Sequence, residues 1–179
     1  PATKTRPTPG PLALRAEYLL RKLEYRNAVD AFYKAVASEP ESAFLLAGLA
    51  IACVLSGGSD AADYLNLVAG LGGEPEVDVW RRIFAGLAEL DRIATSDVRP
   101  ALRAFVRDLV ADKADAMGWE PASGEDDRSR KLRGTLIAAM GNLGDDPKTQ
   151  QKARLVFEES RSADGVVDEE VANAALGVV

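Results

Sequence analysis

From Leu12 onward the apolar residues recur three and four positions apart, and no stretch alternates apolar and polar at every second residue. That period is the one an α-helix presents to a core, and it leaves no segment with the pattern of a half-buried strand. The spacing predicts helices over Leu12–Lys22, Tyr25–Ser38, Ala43–Leu55, Asp60–Ala69 and Glu76–Ile93. A further stripe of Val98, Leu102, Phe105, Leu109 and Ala116 predicts a helix that Ser96 caps and Gly118 stops. Asp127–Met140, Lys148–Ser160 and a segment from the cap Asp168 toward Leu176 complete the series. Gly57-Gly58, Gly70, Gly141, Gly144 and an Asp164-Gly165 turn separate them, with Pro40, Pro75 and Pro147 at boundaries. Connectors this short fold neighbouring helices back on each other. The expected fold is all-α, without a β-sheet: stacked antiparallel hairpins in a right-handed superhelical solenoid of the armadillo, HEAT or tetratricopeptide kind. A closed bundle is disfavoured because the helices share neither a length nor a heptad.

Residues 1–11 hold four prolines and almost nothing to bury, which predicts a disordered tail. Charge changes along the chain. Residues 1–40 carry seven basic and four acidic side chains, and residues 41–179 carry 15 and 24, within a total of −6. An acidic balance of this kind disfavours a nucleic-acid partner. No apolar run reaches the roughly 18–20 residues that span a bilayer. The absence of an apolar leader, together with a single cysteine, predicts a cytoplasmic protein.

Residue types narrow the chemistry further. With no histidine in 179 residues, Ser-His-Asp and Cys-His catalysis and His-ligated metals are excluded. Cys53 sits in an apolar helix with no base to activate it and reads as a buried structural thiol. Glu125, Asp126 and Asp127 lack the spacing of a calcium loop. No cofactor, metal or catalytic residue is expected. Arg128, Arg130, Lys131 and Arg133 follow the acidic run and read first as a solvated charged helix face with i,i+3 and i,i+4 pairs, and otherwise as partners of that run or of a peptide carboxylate. Trp80 and Trp119 read as packing residues, with Trp119 pinning a turn to the helix before it.

Two stretches resemble known families. Tyr25, Ala28, Phe32, Ala35 and Pro40 resemble the second half of a tetratricopeptide repeat, with Leu23 standing where that pattern has glycine. That resemblance implies a peptide groove, for which Arg15, Arg26 and Asn27 are candidates. Asp78-Val79-Trp80-Arg81-Arg82-Ile83, Met117-Gly118-Trp119-Glu120-Pro121, Arg130-Lys131-Leu132-Arg133 and Ala153-Arg154-Leu155-Val156-Phe157-Glu158 follow in order. They resemble the helical C-terminal domain of zinc aminopeptidases of the aminopeptidase N and endoplasmic-reticulum aminopeptidase type. The resemblance implies an armadillo- or HEAT-like arc that caps a peptide chamber. The zinc motif HExxH and the GAMEN motif belong to a preceding domain and are absent here.

Together these readings divide the chain into a tail (1–11), a tetratricopeptide-like hairpin (12–40) and a truncated aminopeptidase-like repeat domain (41–179). The junction is that of natural recombination or of an engineered fusion, and the reading favours the fusion. The expected role is a non-catalytic scaffold, or alternatively a module that binds peptide or protein. Arg128, Arg130, Arg133, Arg26 and Asn27 are the candidate peptide contacts. Self-association is expected through an apolar face near Val178 and Val179.

Overall fold

A computed structural model describes residues 10–162 and 165–179. Among them the regular backbone is all helical: α1 (Pro11–Arg21), α2 (Tyr25–Ser38), α3 (Ala43–Ser56), α4 (Ala61–Ala69), α5 (Val77–Ile93), α6 (Arg99–Met117), α7 (Asp127–Asn142), α8 (Pro147–Ser160) and α9 (Glu169–Val178). The tail expected over 1–11 lies outside the described residues as far as position 9. Pro11 instead opens α1, where its missing N–H is no loss. Asp164 of the expected Asp164-Gly165 turn also lies outside them. The chain divides into two compact units, one up to Leu71 and one from Gly72 to Val179.

In the first unit, α2 packs against both α1 and α3. Small residues make this close approach possible. Ala13, Ala16, Ala28, Ala31 and Ala35 surround Phe32, which is fully buried. The Phe32 ring lies over Gly48, where an added Cβ would stand 2.4 Å from it. The turn after α1 closes with two bonds: Leu23 N–H donates to the Leu20 carbonyl at 3.1 Å and Glu24 N–H to that of Leu19 at 3.0 Å. This C-cap needs a left-handed residue, and Leu23 supplies it at φ 61°. The turn after α3 has the same pattern with Gly57 at φ 78°. α3 is not enclosed on all sides as its composition suggests: Leu45, Ala47, Gly48, Ile51 and Ala52 are buried, while Cys53 is only half-buried. Asp60 caps α4, which contributes the buried Tyr64 and Val68.

In the second unit, α5 buries Trp80, Ile83, Leu87 and Leu90. Trp80 is core, with its indole N–H donating to the Glu74 carbonyl at 2.8 Å and its ring 5.3 Å from that of Phe84. α6 starts later than Ser96 suggests, at Arg99, with Val98 as its uncapped first boundary and Pro100 in its first turn. Its buried stripe is Leu102, Val106 and Val110, while Phe105 and Leu109 are half-buried and Val98 and Ala116 exposed. α7 touches α5, α6, α8 and α9. It runs through Gly141 rather than breaking there, because that glycine is a packing residue. A Cβ on Gly141 would stand 2.6 Å from the Val178 side chain, and one on Gly134 would stand 2.7 Å from the Glu170 carbonyl oxygen. Gly134 faces Glu170 and Gly141 faces Val178, so residue numbers rise together along the two helices and α7 and α9 lie parallel. α8 carries the chain back between them and packs on both. Asp126, Asp146 and Asp168 cap α7, α8 and α9 with side-chain bonds to backbone N–H groups.

Candidate functional site

The densest polar cluster of the second unit begins at the turn after α6. Gly118 adopts φ 62° and ψ −166°, a conformation open to glycine, and so turns the chain sharply. That turn leaves the Met117 carbonyl at the end of α6 in need of a donor. Arg133, one turn and a half into α7, supplies it: Nε and Nη2 each donate to the Met117 oxygen at 3.2 Å. The same Nη2 donates to both carboxylate oxygens of Glu125, at 2.8 and 2.7 Å. Glu125 in turn accepts from the Ala122 N–H at 3.0 Å. The Arg133 side chain is 3% exposed and that of Glu125 12%, so this ion pair is sealed from solvent. It closes the loop between α6 and α7 like a clasp. Trp119, at the same turn, packs on Ile137, Val171 and Ala174 of α7 and α9, with Lys152 Nζ 5.1 Å from the centre of its ring. It thus pins the turn to the helices after it, not to the one before.

Two other cations of the motif, Arg128 and Arg130, are also paired. Arg128 meets Glu76 at 2.8 Å, and Arg130 pairs with Asp127 and lies 3.9 Å from Asp168. Asp126 is engaged as the cap of α7, and the hydrogen bonds from Ser129 hold its carboxyl below the usual carboxylate range. Each member of the acidic run therefore has a named partner within the fold. Arg128 and Arg130 keep substantial exposure, whereas Arg133 cannot reach a peptide without abandoning the clasp.

A second clasp was not visible in the sequence. Arg103 on α6 pairs with Asp145, and Arg107 donates to the Gly144 carbonyl. Gln150 bridges the Gly141 carbonyl at 3.0 Å and Asp145 at 2.9 Å. Asp145 stands in the left-handed region at φ 46°. The only sequence signal was a pair of arginines four apart on the flank of α6, whose partners lie about forty residues on.

In the first unit, Arg15 and Asn27 line one shallow cavity of 270 Å³ together with Leu19, Asp30 and Lys34. Arg26 lines another, of 450 Å³, with Tyr25, Leu55 and Ser56, and Asn27 borders both. Asn27 Nδ2 is already donating to Glu24 at 2.9 Å.

The donor set does not fit a catalytic zinc. The chain has no histidine, and among the described residues no three His, Cys, Asp or Glu side chains gather as a metal site would require. Burial pushes the Cys53 thiol up, away from the thiolate a nucleophile needs. No helix among the described residues is long and apolar enough to cross a membrane.

Comparison with known proteins places most of the chain in one family. Aminopeptidase M1-A of Oryza sativa subsp. japonica is 28% identical over 115 residues, covering 62% of this chain and 13% of the rice protein. The alanine/arginine aminopeptidase of Saccharomyces cerevisiae is 33% identical over 109 residues, covering 58% of this chain and 12% of the yeast protein. The chain thus spans about an eighth of the length of these relatives. No solved structure matches it. The family described as the ERAP1-like C-terminal domain matches residues 25–179. That stretch takes in Tyr25, Ala28, Phe32, Ala35 and Pro40, on which the tetratricopeptide resemblance rests, as well as both clasps. With an all-helical fold, a Gly118-Trp119 turn and an Arg133–Glu125 brace inside the matched region, the chain belongs to the ERAP1-like C-terminal domain family.

Proposed function

We propose that this chain is a non-catalytic helical scaffold, the C-terminal helical part of an aminopeptidase-type protein. The observation that carries the reading is the use made of its charged groups. Arg133 and Glu125, the most enclosed ion pair described, join α6, the following loop and α7, and the guanidinium nitrogen left without a hydrogen-bond partner there, Arg133 Nη1, is buried away from solvent. The parallel α7 and α9 with α8 between them support a repeat layer of the armadillo or HEAT type. Pure protein tested on aminoacyl reporter substrates is expected to give no hydrolysis above buffer and to retain no stoichiometric zinc after dialysis. Chelator-sensitive turnover by pure protein overturns the reading.

A second reading, a peptide-binding module, is favoured by one observation. Arg15, Asn27 and Lys34 line one cavity of the first unit beside Glu24 and Asp30, a recess with donors for a peptide carboxylate and acceptors for its N–H groups. Titration of isotope-labelled protein with a library of short peptides tests it. Saturable shifts confined to α1 and α2, lost in Arg15→Ala, support it; a flat titration removes it.

A further inference from the structure

Two helices of the chain each bury one face and leave the other without a partner among the described residues. α1 turns Ala13 and Ala16 inward toward α2. Its opposite face shows Leu14 at 57% and Tyr18 at 59% exposure, followed by exposed Arg21 and Lys22, with Lys22 Nζ 5.8 Å from the Tyr18 ring. α9 turns Val171, Ala174 and Ala175 inward, in contact with α7 and α8. Its opposite face shows Glu169, Asn173, Leu176 at 59% and Val179 at 60%. Val178, expected to belong to an open apolar face, is instead half-buried against Gly141.

The two faces are complementary. Leu14, Tyr18 and Arg21 fall at i, i+4 and i+7, and so do Glu169, Asn173 and Leu176. At 1.5 Å per residue each stripe is about 10 Å long. Laid antiparallel, Leu14 meets Leu176 and Val179, Tyr18 meets Asn173, and Arg21 with Lys22 meets Glu169. The exposed charges have opposite sign: the end of the α1 face carries Arg21 and Lys22, whereas the α9 face carries Glu169 and no cation. We propose that α1 of one copy docks antiparallel on α9 of a second copy, with Leu14 seated on Leu176 and Val179 and Tyr18 against Asn173. The contact is heterologous, since the two copies offer different faces. Two short helix faces bury less than a standard interface, so the association is weak.

Sedimentation velocity over a micromolar-to-millimolar series tests this. Wild-type chain is expected to gain average mass with concentration, less so in high salt. Tyr18→Asp removes one face and Leu176→Asp the other, so each variant alone is expected to stay monomeric. Mixed in equal amounts, they retain one intact face each and are expected to form a 1:1 complex. Arg21→Glu with Glu169→Arg in separate chains provides a second pair, in which reversed charges restore attraction on mixing. Circular dichroism of each variant checks its helix content. Wild type that stays monomeric throughout, single variants that still associate, or mixtures that form no complex each overturn the proposal.

Discussion

Arg133→Met removes a guanidinium that makes four hydrogen bonds, two to the Met117 carbonyl and two to Glu125. Methionine fills similar space but leaves a carboxylate with 12% side-chain exposure and a helix-end carbonyl without donors. Breaking a buried pair in this way costs about 3–5 kcal/mol. Glu125→Gln keeps the shape and one acceptor oxygen and removes the charge, for a cost of about 1–3 kcal/mol. The double variant Arg133→Met with Glu125→Leu has no stranded charge, so it is expected to be more stable than Arg133→Met alone. Thermal unfolding followed by tryptophan fluorescence is the assay, since Trp119 follows the Gly118 turn that the clasp closes and Trp80 lies in the core of the same unit. At roughly 2–4 °C per kcal/mol for a chain of this size, Arg133→Met lowers the midpoint by about 6–20 °C. Single variants within about 0.5 kcal/mol of wild type, the range of an ordinary surface change, or additive losses in the double variant, would refute the reasoning.

Leu23 occupies a left-handed cap with 63% of its surface exposed. Leu23→Gly is therefore expected to be more stable than Leu23→Ala by about 1 kcal/mol, the reverse of the order inside a helix, as thermal unfolding of the two variants will show. Gly134→Ala drives a Cβ onto the backbone of Glu170 and is expected to cost about 1–3 kcal/mol. Gly141→Ala brings a Cβ within 2.6 and 2.7 Å of the two Cγ atoms of Val178, a branched side chain with little rotamer freedom, and should likewise cost about 1–3 kcal/mol in the same assay. Burial raises the Tyr64 phenol and the Cys53 thiol above their ordinary values of 10.0 and 9.0. The folded state then holds protons that the unfolded chain releases, so this contribution is full below pH 9 and is lost as pH rises through the folded values. Tyr64→Phe should flatten that alkaline loss of stability, and Cys53 should alkylate more slowly than a free thiol at the same pH.

Helical spacing made the fold class legible because every element buries a face in period 3.6. Asp60, Asp126, Asp146 and Asp168 stand at caps for the same local reason, and Pro147 opens its helix as its position suggests. Legibility failed where a residue serves a distant partner. Gly141 has the look of a helix breaker, but the close approach of α9 keeps it helical. The buried stripe of α6 is Leu102, Val106 and Val110 because α5 and α7, which the sequence does not place, decide which of its apolar residues are enclosed. At the site, pairing of the arginines with the acidic run was visible from adjacency, and Arg133–Glu125 and Arg130–Asp127 follow it. The enclosure of Arg133 was not visible, because it depends on the carbonyl exposed by the Gly118 turn. Nor was the Arg103–Asp145 pair, which joins helices far apart in sequence.

The central claim is that the motif cation Arg133 is a brace inside the helical scaffold and not a ligand contact. Nuclear magnetic resonance of the arginine Nε–H groups tests it most directly. An Arg133 Nε–H signal is expected that exchanges slowly with water, disappears in Arg133→Met, and stays in place as peptides are added. A fast-exchanging Arg133 signal, or one that shifts saturably with peptide, would contradict it.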